Sequence, residues 1–430
     1  MVYFGLNGLF FISVMTRMPS IRDALQVDPA QLGSVLLAAS LGSISIVAFG
    51  GVLIARFGGR LMLHVSTGIF VTAFLLIALS TVTGDLHWIA LGMFLKGVSW
   101  VIGNVPLNVE SAAVERAVGR TIMPQFHAMY SIGAVVGAWV GALLSDLGIS
   151  VAVQIAALSV LYLVIRIPST KYTVLDTVVE PRERRRAKNT KTLETPRLNP
   201  SSKLRAAGIT LRHRLRTRGA GTALEPWFEL RILLLGLLVM SAALSEGAAN
   251  DWLGLAVVDG LGQSESTGAI TLSIFLFAMT AVRLVGGRLI DGLGPVLLLR
   301  LAGVSTVLGV IIFVTAPVYG LAAAGVVLWG FGAALVFPIA VSTASAEPRK
   351  AATRVAVVTS FGSMAGIAFP PLLGLIGNLV GVRPSLLFVA LAGLVLITFA
   401  FNARPVPAPD SSLPDDDAPH RLEPRAEIAG

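Results

Sequence analysis

Cysteine is absent from all 430 residues, which excludes disulfides, thiolate metal sites and covalent haem attachment. Charge is scarce as well. Asp, Glu, Lys and Arg make up 13% of the chain, against about a quarter in a soluble domain. The 5 histidines are scattered, so no metal centre is expected. The sequence has no Gly-x-x-x-x-Gly-Lys-Ser/Thr phosphate loop and no His-Glu-x-x-His zinc motif, and none of its glycine clusters follows a predicted strand. ATP-driven transport by this chain alone is therefore not expected, and neither is a cofactor. An intramembrane enzyme is disfavoured too, because no acid, base and nucleophile fall at a plausible spacing. No cleavable secretory signal is expected: the first apolar run leads into a charged loop without a small-residue cleavage pattern.

What the chain has is apolar length. Hydrophobic residues make up 55% and mean hydropathy is +0.80. Backbone polar groups in lipid must be satisfied within the segment, which leaves helices or closed barrels. The apolar runs here continue for about 20 residues without alternation, and that selects helices. Spans are predicted near 1–17, 31–55, 61–82, 87–109, 124–145, 147–166, 230–250, 265–287, 296–315, 318–343, 353–378 and 384–402. The first is short for a crossing, so the true start of the protein is expected upstream of Met1. The 44 glycines suit helices that approach closely in a bilayer.

The formal net charge of +9 suggests nucleic acid only until its location is examined. One set of joints carries Arg56 and Arg60, Arg116 and Arg120, Arg288 and Arg300, then Arg349, Lys350 and Arg354. The opposite set carries Arg17, Arg22 and Arg383 with Asp85, Asp146, Asp259 and Glu265. By the positive-inside rule the first set faces the cytoplasm. Both termini then lie inside the cell and the span number is even, which twelve satisfies. The expected location is the plasma or inner membrane, with the bilayer as surroundings and no nucleic-acid partner. Residues 168–228, with Arg184-Arg185-Arg186 and the basic run Arg212 to Arg218, are expected to form a basic cytoplasmic linker. The alternative is contact with anionic headgroups. The expected organisation is a six-helix bundle over 1–167, this linker, a second bundle over 229–403, and an acidic, proline-rich disordered tail over 404–430.

The two bundles repeat each other. Gly50-Gly51-Val52-Leu53-Ile54-Ala55-Arg56-Phe57-Gly58 in the first half corresponds to Gly286-Gly287-Arg288-Leu289-Ile290-Asp291-Gly292-Leu293-Gly294 in the second. Trp100-x-x-Gly103 corresponds to Trp329-x-x-Gly332, and Ser131-x-Gly133-x-x-x-Gly137 to Ser360-x-Gly362-x-x-x-Gly366. Three matches in one order imply two like-oriented bundles related by a pseudo-two-fold axis along the membrane normal, with a substrate site between them.

The segment Gly51-x-x-x-Ala55-Arg56-x-Gly58-Gly59-Arg60 resembles the cytoplasmic signature of the major facilitator superfamily. Ala55 stands where that family has an acidic residue, and the second copy keeps it as Asp291, between Gly287 and Gly294. The resemblance implies that this acid steadies the inward-closed interface. Arg17-Met18-Pro19-Ser20-Ile21-Arg22, Asn108-Val109-Glu110, Val114-Glu115-Arg116, Met123-Pro124-Gln125-Phe126-His127 and Glu246-Gly247-Ala248-Ala249-Asn250-Asp251-Trp252 are similar to a branch around fucose permease and its bacterial inner-membrane relatives. Ala138 occupies the place of the proline that drug–proton antiporters carry in the Gly133, Gly137, Gly141 ladder.

Charges within spans need a partner, a cavity or a role. Lys96, Trp100, Asn104 and Asn108 follow in steps of four on one broad helix face. They could line a cavity for a sugar-like or other polar solute, or bond neighbouring helices. Pro106 is expected to loosen that helix. Glu246 and Asn250 share a face of the seventh span. The carboxylate could carry a proton or pair permanently with Lys96 or Arg283. Glu110, His127 and Asp251 are further proton-carrier candidates, and Arg283 either neutralises a carboxylate or binds an anionic solute. The expected function is secondary active transport of a small polar solute, proton-coupled, by a monomer. The alternatives are a drug–proton or metabolite–proton efflux antiporter of the same fold, or a solute sensor acting through the basic linker.

Overall fold

A computed structural model describes residues 1–47, 49, 53, 56–118, 123–173, 225–347 and 350–404. The first half contains α1 (Val2–Met15), α2 (Met18–Leu25), α3 (Pro29–Val47), α4 (Gly59–Thr83), α5 (Leu86–Val118), α6 (Met123–Asp146) and α7 (Val151–Thr173). After the linker come α8 (Leu230–Leu261), α9 (Glu265–Leu293), α10 (Pro295–Thr315), α11 (Tyr319–Ala333), α12 (Val336–Ala344), α13 (Ala351–Val380) and α14 (Val389–Phe399). Among the described residues no strand occurs, and 11 helical stretches are long and apolar enough to cross a membrane. Val2–Met15 is a twelfth, shorter apolar helix.

The packing displays the repeat directly. In the first bundle α1 packs on α6, α4 on α5, α3 on α5 and α4 on α7. In the second, α8 packs on α13, α10 on α11, α9 on α11 and α10 on α14, the same pairs in the same order. The bundles meet through α3 with α13 and α6 with α9, two contacts that a two-fold axis exchanges. At the joint after each bundle's second span, Gly58 has φ 82°, ψ 155° and Gly294 has φ 75°, ψ 155°. Both conformations disfavour a Cβ.

Several boundaries differ from the sequence expectation. The first span ends at a break around Thr16–Arg17, after which α2 runs on with Pro19 in its first turn. Helix α5 stays helical through Pro106 to Val118. Helix α7 passes Pro168 and reaches Thr173, and beyond the proline the Ser169 and Thr170 hydroxyls donate back to the carbonyls of Ile165 and Arg166. The tenth span is broken at Ala334–Leu335, four residues before Pro338. Proline lacks the N–H that the carbonyl of Ala334 would accept. The linker from 174 to 224 and the tail from 405 lie outside the described residues.

Candidate functional site

A cavity of about 240 Å³ lies between the bundles. The first bundle contributes Phe11 from α1, Ser40 from α3 and Lys96 from α5. The second contributes Asn250, Asp251 and Trp252 from α8, with Phe369 and Pro370 from α13. Lys96, Asn250 and Asp251, singled out from the sequence, therefore share one wall-to-wall space. Lys96 Nζ lies over the Phe11 ring, 4.7 Å from its centroid, and interacts electrostatically with Asp251. No direct ion pair joins these two charges. Two polar atoms in this wall are buried and without a hydrogen-bond partner among the described residues, Asn250 Oδ1 and Trp252 Nε1.

The wall is tied together by a carbonyl that proline sets free. Pro370 cannot donate to Gly366, and the Gly366 carbonyl instead accepts the Ser40 hydroxyl at 2.5 Å across the bundle interface. The same logic operates one level nearer the linker. Arg283 Nε donates to the freed Ala334 carbonyl at 3.0 Å, and its Nη2 donates to Glu246 at 3.2 Å. Of the two partners considered for Glu246 from sequence, the structure supplies Arg283. Both side chains are about one-third exposed, so the pair borders open space. Tyr130 of α6 is within electrostatic reach of Glu246. Its ring packs edge-on to Trp100 at 6.2 Å, and Trp100 in turn lies 6.5 Å from Phe11.

The other sequence candidates fall elsewhere. Asn108 donates to both the backbone and side-chain oxygens of Asn104, at 2.8 and 2.9 Å, so these amides are bonded along their own helix. Neither lines the cavity. Glu110 is buried beside Gly59 at the start of α4 and borders a separate cavity of about 450 Å³ with Tyr3, Ser111 and Phe126. His127 lies on α6, with its side chain outside the described residues. Arg56, Arg60, Gly287 and Asp291 are exposed at the linker end, whereas Gly51 is outside the described residues.

A clasp missed in the sequence joins the bundles at the opposite end. Glu265 accepts from Ser20 N at 2.8 Å, Ser20 Oγ at 2.7 Å and Ser145 Oγ at 2.7 Å. Arg17 Nε lies 2.8 Å from the same carboxylate, an ion pair in which the N–H is not aimed at the oxygen. Arg17 is further held by Gln154 at 2.8 Å and the Ile149 carbonyl at 3.0 Å. Arg22 pairs with Asp259 nearby. The signal was visible as opposite charges on one side of the membrane, with nothing to say which would meet. Arg166 was missed as well. It is buried between the rings of Tyr3 and Tyr162, at 4.6 and 4.8 Å, and donates to Asn7 at 2.8 Å.

Three kinds of likeness bear on this arrangement. An uncharacterized MFS-type transporter of Yersinia pestis is 26% identical over 408 residues, covering 94% of each chain. An uncharacterized transporter of Sinorhizobium fredii is 28% identical over 364 residues, covering 84% of this chain and 86% of its own. Among solved structures, the nucleoside transporter NupG superposes with a TM-score of 0.70 at 15% identity, covering 94% of this chain and 97% of its own. A bacterial homolog of the human lysosomal transporter Spinster, inward-facing and unoccupied, gives 0.65 at 14% identity, covering 95% and 97%. The family profile matches residues 1–358 and again 235–426. With its paired bundles, exchanged interfaces and central cavity, the chain belongs to the Major Facilitator Superfamily.

Proposed function

We propose that this chain moves a small polar solute across a cell membrane by alternating access, with a proton travelling in the same cycle. The observation that carries the reading is the cavity itself, built by both bundles and lined by Lys96, Asn250 and Asp251. Its volume, about 240 Å³, lies below the roughly 300–1,000 Å³ of sites for drug-sized ligands. That favours a small metabolite over a bulky amphipath.

The basic joints assign the linker end to the cytoplasm. The Glu265 clasp then lies at the outer end, and rocking the bundles about the central cavity would break it as the linker end closes. Glu246 and Asp251 are the coupling candidates with central positions. Protonating Glu246 would release the Arg283 guanidinium from one of its two anchors while leaving it on the Ala334 carbonyl. The broken tenth span would feel that change directly.

The test is uptake into proteoliposomes carrying the purified protein, with and without an imposed pH gradient. Accumulation should require the gradient in the wild type and be lost in Glu246→Gln or Asp251→Asn. A Glu246→Gln, Glu110→Gln, Asp251→Asn variant that still concentrates solute under the gradient would overturn proton coupling through these groups.

A further inference from the structure

We infer that the solute is a zwitterion of amino-acid size, its carboxylate held by Lys96 and its ammonium by Asp251; this deepens the transporter reading above and rests on it. The two charges belong to different bundles, Lys96 to the first and Asp251 to the second, and face one small cavity. Among the described residues neither is in a direct ion pair. Lys96 leans on the face of Phe11 instead. Opposite charges held away from bulk water ordinarily close on each other, because desolvation penalises an open pair. Held apart across a cavity, they form a dipolar slot, and a ligand carrying both signs satisfies both at once.

The rest of the lining suits the same ligand. Asn250, next in sequence to Asp251, adds a polar amide to the same wall. Phe11 and Phe369 supply apolar surface for a short side chain. The same arrangement discriminates. A monoanion would satisfy Lys96 and leave Asp251 facing added negative charge, and a monocation would do the reverse. Neutral polyols would satisfy neither charge. Because the two ends of the ligand touch different bundles, occupation also draws the halves together, which a carrier needs before it can switch sides.

The full chain, purified in detergent, would be screened by thermal shift. The panel is the proteinogenic amino acids and γ-aminobutyrate, set against glucose, inositol, adenosine and succinate. For any amino acid that binds, its carboxamide (a cation) and its N-acetyl derivative (an anion) are measured next. The expected result is a shift with a zwitterion, and affinity at least tenfold weaker for both analogues. Lys96→Met should recover preference for the carboxamide, and Asp251→Asn for the N-acetyl form. The analogue series on the wild type decides the matter even if either variant fails to fold. A shift with sugar, nucleoside or succinate and none with amino acids overturns the zwitterion while leaving the transporter reading intact. So does an amino acid whose two analogues bind equally well. If no solute shifts the protein and proteoliposomes accumulate none, the zwitterion and the transporter reading fall together.

Discussion

Two charged residues, one buried and one half-buried, show how single side chains hold this fold in a lipid setting. Arg166 has no carboxylate among the partners described. Its charge is spread over two tyrosine rings, the Asn7 amide and Ser66. A desolvated cation–π contact is worth about 2 kcal/mol, and a charged hydrogen bond is comparable. Arg166→Met keeps much of the volume and removes both but also relieves the cost of burying the charge, so the net loss of stability should be about 2 kcal/mol, read as a lower melting midpoint of the purified protein. Tyr162→Leu should move the midpoint in the same direction by less. Glu265 makes the opposite case, a carboxylate that stabilises one arrangement of the whole carrier. Glu265→Gln keeps a side-chain acceptor but loses the charge facing Arg17. With Ala243→Cys as the sole cysteine in a cysteine-free chain, labelling of the cavity by an impermeant thiol reagent from outside should rise several-fold in the Glu265→Gln background. Unchanged labelling would mean that the clasp does not govern access.

At the scale of elements, prolines and glycines set the interfaces through backbone atoms. Pro338 and Pro370 each free a carbonyl four residues earlier, and each carbonyl is taken by a polar group of a neighbouring helix, Arg283 in one case and Ser40 in the other. The glycine ladder of α6 lets α1 approach its backbone. A Cβ on Gly133 would lie 2.0 Å from the Gly5 carbonyl oxygen, and one on Gly137 would lie 2.2 Å from that of Leu9. Gly137→Ala should therefore cost about 1–3 kcal/mol, the usual range for overpacking. Gly254→Ala, whose added methyl meets open space, should leave the melting midpoint unchanged or slightly raised. At the linker junction, the Lys350 ammonium hydrogen-bonds Glu225 at 2.6 Å and holds its carboxyl below the ordinary value, while Lys350 is itself raised by Glu225. A depressed carboxyl stabilises above its ordinary range and loses that effect as pH falls through its folded value. The wild type's advantage over Glu225→Gln should be small, present at neutral pH, and gone once the medium is acid enough to protonate Glu225. Melting curves of the two proteins across that range would check it.

On the scale of the whole molecule, the two-fold arrangement makes the α3–α13 and α6–α9 contacts the surfaces that would slide in the proposed alternating-access cycle. Ser40 and Gly366 face each other across one of them, with Ser40 Oγ only 3.3 Å from where a Cβ on Gly366 would stand. A Ser40→Cys, Gly366→Cys pair should therefore oxidise readily and pin the bundles together. Uptake should fall at least tenfold on oxidation and recover on reduction. Full transport by the oxidised protein would argue that this interface does not move in the cycle.

Much of this architecture was legible in the chain. Composition and unbroken apolar runs dictate membrane helices, because lipid offers the backbone no other partner. Three ordered matches between the halves imply paired bundles, and Gly58 and Gly294 adopt the same backbone conformation in the two copies. Lys96, Asn250 and Asp251 stood out because polar groups in lipid must have a reason to be there. Which of them meet was beyond the sequence. The stripe from Lys96 to Asn108 lies along one helix, yet only its first member enters the cavity. Asn104 and Asn108 satisfy each other locally, and that local bond competes with any distant one. Glu246 found Arg283, Arg17 found Glu265, and Phe11 and Ser40 entered the cavity wall without any pattern of their own. Periodicity fixes what faces a helix's neighbours, since it is a property of one element. Pairing depends on how twelve elements are placed and at what depth, and only the packed bundles decide that.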